Sequence, residues 1–155
     1  MTSIKAVALD FDGVVTDGAV WWGPDGEEWK RFCFHDIMGV SLARKAGLVI
    51  ALISGEDSPL VDRFARKMGI MDVYKGCHDK AEALRQFAGA HGHDLKEIAF
   101  MGDDINDVPA MEICGLPVSP ANGHPAALAA ASLVTQGAGG QGAVRELLDQ
   151  LLADR

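Results

Sequence analysis

Cysteine is scarce and unpatterned: Cys33, Cys77 and Cys114 are odd in number and widely spaced. With no CxxC pair and no Cys/His ligand spacing, neither a disulfide framework nor a zinc site is indicated, and free thiols in a reducing compartment are expected. Basic residues are outnumbered, 14 against 22 acidic for a net charge of −8, and no stripe of Lys and Arg forms anywhere. A nucleic-acid surface needs clustered cations to neutralise phosphates, so that class of partner is set aside. A small anionic substrate stays compatible with this charge, because a bound metal reverses the local field. Long apolar runs are missing too. The longest, residues 48–53, falls far short of the ~20 residues of a membrane span. Met1-Thr2-Ser3-Ile4-Lys5 carries no apolar secretory stretch. The expectation is a cytoplasmic protein without a membrane partner. No linker, low-complexity tract or repeat interrupts the 155 residues, a length suited to a single domain over 1–155.

What the chain does have is alternation. Short apolar strands are expected at 4–9, 48–53, 73–74, 97–101 and 116–119, with an edge strand at 133–134. Between and after them, helices are expected at 36–46, 59–69, 79–91, 109–114, 126–131 and 143–152. Asp36 reads as the cap of the first helix, and Ser58-Pro59 as cap and first residue of the second. Two further strands, 19–22 and 28–34, are joined by Gly23-Pro24-Asp25-Gly26, which has hairpin turn chemistry. Strands alternating with helices imply an α/β fold with a parallel sheet covered by helices on both faces.

Acidic residues gather where strands run out. Asp10 and Asp12, spaced by two, can both point into the crevice beyond the carboxyl end of the first strand, where open α/β sheets bind ligands. Like charges so close are costly unless a cation or a shared proton offsets them. Gly102-Asp103-Asp104-Ile105-Asn106-Asp107 follows another apolar strand and is an oxygen-rich group of the kind Mg²⁺ prefers. A helix cap explains one of those carboxylates but not three. Ser54-Gly55, also after a strand, offers a hydroxyl and a flexible backbone for a phosphoryl oxygen. Lys80 opens a helix, where the dipole disfavours a cation, and binding an anion would account for it.

Leu9-Asp10-Phe11-Asp12-Gly13-Val14, Ser54-Gly55, Lys80 and Gly102-Asp103-Asp104 stand in the order of the four motifs of the haloacid-dehalogenase superfamily, which this chain resembles. Thr16-Asp17-Gly18, Gly26-Glu27-Glu28, Asp36, Gly39-Val40 and Gly142-Ala143-Val144-Arg145-Glu146 are similar to the capless branch of 2-keto-3-deoxy sugar-acid phosphatases. That branch acts on 3-deoxy-octulosonate 8-phosphate or on nine-carbon (nonulosonate) 9-phosphates. The resemblance implies a Rossmann-like core with strand order 3-2-1-4-5, a small β-hairpin flap and no cap domain. It implies Asp10 as nucleophile, Asp12 as general acid/base, and Mg²⁺ between Asp10, the Asp12 main-chain carbonyl and Asp103. Ser54 and Lys80 would grip the phosphoryl oxygens, with Asp104 and Asp107 holding metal-bound water or orienting Lys80. Capless relatives assemble as tetramers through their hairpins, so a homotetramer is implied as well.

Two departures bear on the sugar. Glu56 follows Ser54-Gly55 where octulosonate-type members usually carry Arg, and Gln141 replaces a common Arg. Glu56 and a matching Lys67 resemble the nine-carbon branch, and with Gly55 they complete the expected substrate contacts. Other readings are a phospho-receiver domain or a phosphatase of another small ester. A receiver's Lys comes last in its chain, whereas here Asp103-Asp104 follows Lys80. Five aromatics crowd the hairpin segment: Trp21, Trp22, Trp29, Phe32 and Phe34. Trp21 and Trp22 face opposite sides of a strand, so one core face cannot bury both, and an interface is expected there.

Overall fold

The first core strand, β1 (Ala6–Leu9), is buried along its whole length, and its two faces feed two different cores. Val7 and Leu9 point into one, Ala6 and Ala8 into the other, which is the period-two alternation of a strand covered on both sides. The computed structural model describes residues 3–155. β1 is followed by the hairpin strands β2 (Trp21–Trp22) and β3 (Glu28–Trp29), helix α1 (Phe34–Lys45), β4 (Val49–Ile53) and α2 (Pro59–Met68). Then come β5 (Asp72–Tyr74), α3 (Lys80–His91), β6 (Ile98–Met101), α4 (Val108–Ile113) and β7 (Leu116–Ser119). The chain closes with α5 (Pro125–Ala130), β8 (Leu133–Val134) and α6 (Ala143–Ala153).

The main sheet has the order β5-β4-β1-β6-β7-β8, and every pairing in it is parallel. Counted without the hairpin, this is the expected 3-2-1-4-5, extended at its edge by β8. Helices α1, α2 and α6 cover the face of Val7 and Leu9, while α3, α4 and α5 cover the face of Ala6 and Ala8. β1 lies between β4 and β6, with Leu9 level with both Leu52 and Met101. Residues after those three positions therefore emerge together at one end of the sheet, at its switch point. No helix among the described residues is long and apolar enough to cross a membrane.

Local signals explain several boundaries. The Ser58 hydroxyl accepts the Leu60 N–H at 3.2 Å, Pro59 opens α2, and Gly69 ends it in the left-handed conformation. Two readings are corrected. Residues 30–34 do not continue the hairpin strand, and α1 already begins at Phe34. Asp36 consequently lies inside α1 and caps nothing there. It is buried and turned towards α6, where it accepts main-chain N–H groups of Arg145 and Gly142.

Candidate active site

Three strand ends and one helix start converge on a cavity of about 450 Å³, whose walls include Asp10, Asp12, Ser54, Gly55, Glu56, Lys80, Asp103, Asp104 and Asn106. Asp10 follows β1 directly, and its N–H is held by the Met101 carbonyl at 2.9 Å. The chain then kinks at Gly13, with φ of 88°. A Cβ there would collide with the Asp103 carboxylate, so glycine is required by backbone conformation and by space. Thr16 pins the turn: its hydroxyl accepts N–H bonds from Gly13 and Gly18 and faces Asp12.

Lys80 is the hub. Its side chain is 2% exposed, and Nζ donates at 2.7 Å both to Asp10 Oδ1 and to Asp107 Oδ1. Burial pulls its pKa down, but the charges of Asp10 and Asp107 outweigh that and hold the ammonium above its ordinary value. Asp10 is pushed well above the usual carboxylate range by burial and then by the charge of Asp107, with Lys80 opposing. Asp103 is raised to about 6, again by burial first. Two buried carboxyls whose charged forms are both disfavoured suit a cation that offsets their charge.

Oxygens of Asp10, Asp103 and Asp107 come within 4.8 Å of one another, yet the three differ in what they have free. Asp107 Oδ2 accepts the N–H groups of Asp103 and Asp104, and its Oδ1 takes Lys80. Its oxygens are thus engaged in orienting neighbours, leaving Asp10 and Asp103 as the donors that fit Mg²⁺. Asp104 accepts the N–H of Ile105 at 2.7 Å, capping its own turn. Of the two acids expected to support the metal or Lys80, only Asp107 reaches Lys80.

Ser54 is buried at the end of β4, and its hydroxyl accepts the Glu56 N–H. Glu56 and Gly55 line the cavity. Lys67 does not. It borders an adjoining groove between the hairpin and α2, with Trp29, Phe32, Phe34 and Phe64, which shares Glu28 and Lys30 with the cavity; Lys67 itself sits in the last turn of α2. Lys30 was missed by sequence reasoning, along with Glu28 and Trp22. All three line the cavity from the hairpin.

A profile of haloacid dehalogenase-like hydrolases matches residues 48–147. The chain is 37% identical to 3-deoxy-D-manno-octulosonate 8-phosphate phosphatase KdsC of Salmonella typhi, over 97% of this chain and 80% of that protein. It belongs to the haloacid dehalogenase-like hydrolases. Among solved structures, this hydrolase matches the octulosonate 8-phosphate phosphatase of Moraxella catarrhalis in complex with magnesium, phosphate and KDO. The TM-score is 0.95 at 34% identity, covering 98% of this chain and 87% of that one. The cobalt-bound enzyme of Haemophilus influenzae matches with a TM-score of 0.94 at 33% identity, covering 97% and 88%. These relationships bear on the whole hydrolase core, from β1 to α6.

Proposed function

We propose that this hydrolase is a Mg²⁺-dependent phosphatase of a phosphorylated 2-keto-3-deoxy sugar acid, working through an aspartyl-phosphate on Asp10. The observation that carries this is the buried Lys80 ammonium clamped between Asp10 and Asp107, with Asp103 facing Asp10 at the ends of adjacent strands. The magnesium-bound and octulosonate-phosphatase relatives support the same reading.

Asp10 attacks phosphorus as the bond to the sugar oxygen breaks, and Asp12 gives that oxygen a proton. Asp12 then takes a proton from water as the water attacks the aspartyl-phosphate, releasing phosphate and restoring Asp10. Ser54 and Lys80 hold the phosphoryl oxygens, Lys80 also fixing the direction of the nucleophile. Asp10, Asp103 and the Asp12 main-chain carbonyl would hold Mg²⁺, which shields the nucleophile from the phosphate and stabilises phosphoryl charge.

The eight-carbon acid, 3-deoxy-D-manno-octulosonate 8-phosphate, is the favoured substrate, as for the relatives. Glu56 in the cavity wall favours the nine-carbon acid as second reading, while Lys67 borders the adjoining groove rather than the cavity itself. Comparing kcat/KM for the two phosphates at fixed Mg²⁺ decides between them. Inactivity towards both would overturn the proposal.

The assembly proposed is a homotetramer formed through the hairpin. Trp21, Trp22, Trp29 and Phe34 are all more than half exposed. Trp21 pairs with Trp29 across the hairpin, so one of its faces presents indoles to solvent, as interfaces do.

A further inference from the structure

Two buried lysines divide the carboxylates of this site between them. Lys80 takes Asp10. Lys30, arriving from the hairpin, takes Asp12: its Nζ lies 2.8 Å from Oδ1 and 3.0 Å from Oδ2. The Lys30 side chain is 3% exposed, and its ammonium stands 5.7 Å from the centre of the Phe11 ring. An ammonium so desolvated is held for a purpose that its surroundings define. Glu28 lies 3.8 Å from the same ammonium, and the other Glu28 oxygen accepts the Ser58 hydroxyl at 2.9 Å. Ser58 is the cap of α2, so a chain of polar contacts runs from a core helix through the flap to Asp12. Below it, Phe32 packs on Phe11 and Phe64 with ring centres 5.8 and 5.3 Å away, which anchors the segment after β3 that carries Lys30.

We propose that Lys30 is the positioning residue of the acid–base carboxylate. It draws Asp12 away from Asp10 and aims it at the side of the cavity formed by the flap, where the leaving oxygen must lie. This rests on the phosphatase reading above. Asp10 and Asp12 leave the same short turn, and without a second cation both would compete for the region of Lys80 and the metal. Lys30 also stands where charge develops on Asp12 as its proton passes to the leaving oxygen, so it stabilises that moment of the reaction.

The test exploits leaving groups that differ in their need for a proton. Kinetics with phenyl phosphate, 4-nitrophenyl phosphate and 2,4-dinitrophenyl phosphate at saturating Mg²⁺ give the dependence of kcat/KM on leaving-group basicity. General acid catalysis contributes on the order of 10²-fold or more. Lys30→Met should therefore lose about 10²-fold on phenyl phosphate and less than about threefold on 2,4-dinitrophenyl phosphate, steepening the dependence as Asp12→Asn should also do. Lys30→Arg should restore much of the loss on phenyl phosphate. A parallel fall on all three esters, no fall at all, or no recovery in a folded Lys30→Arg would overturn the role given to Lys30 while leaving the phosphatase intact. Wild-type protein inert towards every ester would instead remove the phosphatase reading itself.

Discussion

Asp36 and Arg145 are joined across the fold: Asp36 Oδ1 accepts the main-chain N–H of Arg145 at 2.9 Å, 109 residues away in the chain. The second oxygen takes the N–H of Gly142. A side chain inside α1 thereby caps α6, which otherwise begins without a side-chain cap of its own. Asp36→Ala should lower stability by about 1 kcal/mol, the usual value of a cap, and Asp36→Asn, which keeps an acceptor, by less. Denaturant titration of both variants checks this.

The same residue gives a pH signature. Burial raises the Asp36 pKa, against the opposing N–H bonds. The folded state then holds this proton more tightly than the unfolded chain does. The associated stability is fully present below the ordinary carboxylate value and is lost as pH rises through the raised one. Wild type should therefore gain on Asp36→Asn as pH is lowered from about 7.5 to about 4. A difference in melting temperature that stayed flat would contradict the assignment.

Metal removal should abolish turnover. Chelation leaves the buried carboxyls of Asp10 and Asp103 close together without a cation to offset them, and Mg²⁺ should restore activity and raise the melting temperature by binding only the folded chain. Because Asp103 is raised to about 6, protons compete with the cation, and the Mg²⁺ concentration needed should climb as pH falls below that value. Ca²⁺ should inhibit, since its looser coordination misplaces the nucleophile. Full activity after exhaustive chelation would contradict the metal dependence.

Asp107→Asn separates an orienting role from a liganding one. It places an amide N–H₂ among donors, against Lys80 or the N–H groups of Asp103 and Asp104. Activity should fall ~10- to 100-fold, as for groups that support a metal site without touching the ion, with the Mg²⁺ requirement little changed. A collapse of Mg²⁺ affinity would make Asp107 a ligand.

Truncating both Trp21 and Trp22 to Ala should cost assembly and activity together. Trp22 lines the catalytic cavity, while Trp21 pairs with Trp29 on the opposite face of the hairpin. Light scattering that showed a fully active wild-type monomer at micromolar concentration would overturn the tetramer.

The groups at the strand ends were legible because sheet topology alone brings them together. Asp10, Ser54 and Asp103 each follow a strand of strong apolar character, and parallel neighbours must release them at one edge. Lys80 was legible as an oddity, a cation opening a helix. Lys30 was not, since a single lysine in a hairpin looks solvated. Its place is set only once the segment after β3 folds back against Phe11 and Asp12. Asp36 was misread because a capping residue was sought at the start of its own helix, whereas its partner is fixed only when α1 packs on α6. Lys67 was placed by likeness to relatives, and no local rule reports that the end of α2 borders the adjoining groove rather than the cavity itself.

The central claim is covalent catalysis by Asp10, and steady-state turnover of Asp10→Asn with Mg²⁺ present tests it most directly. The two side chains are nearly isosteric, so the fold should survive, as a melting curve will show. Turnover should fall by ~10³-fold or more once the nucleophile is gone. A folded Asp10→Asn protein that kept substantial phosphatase activity would contradict the account.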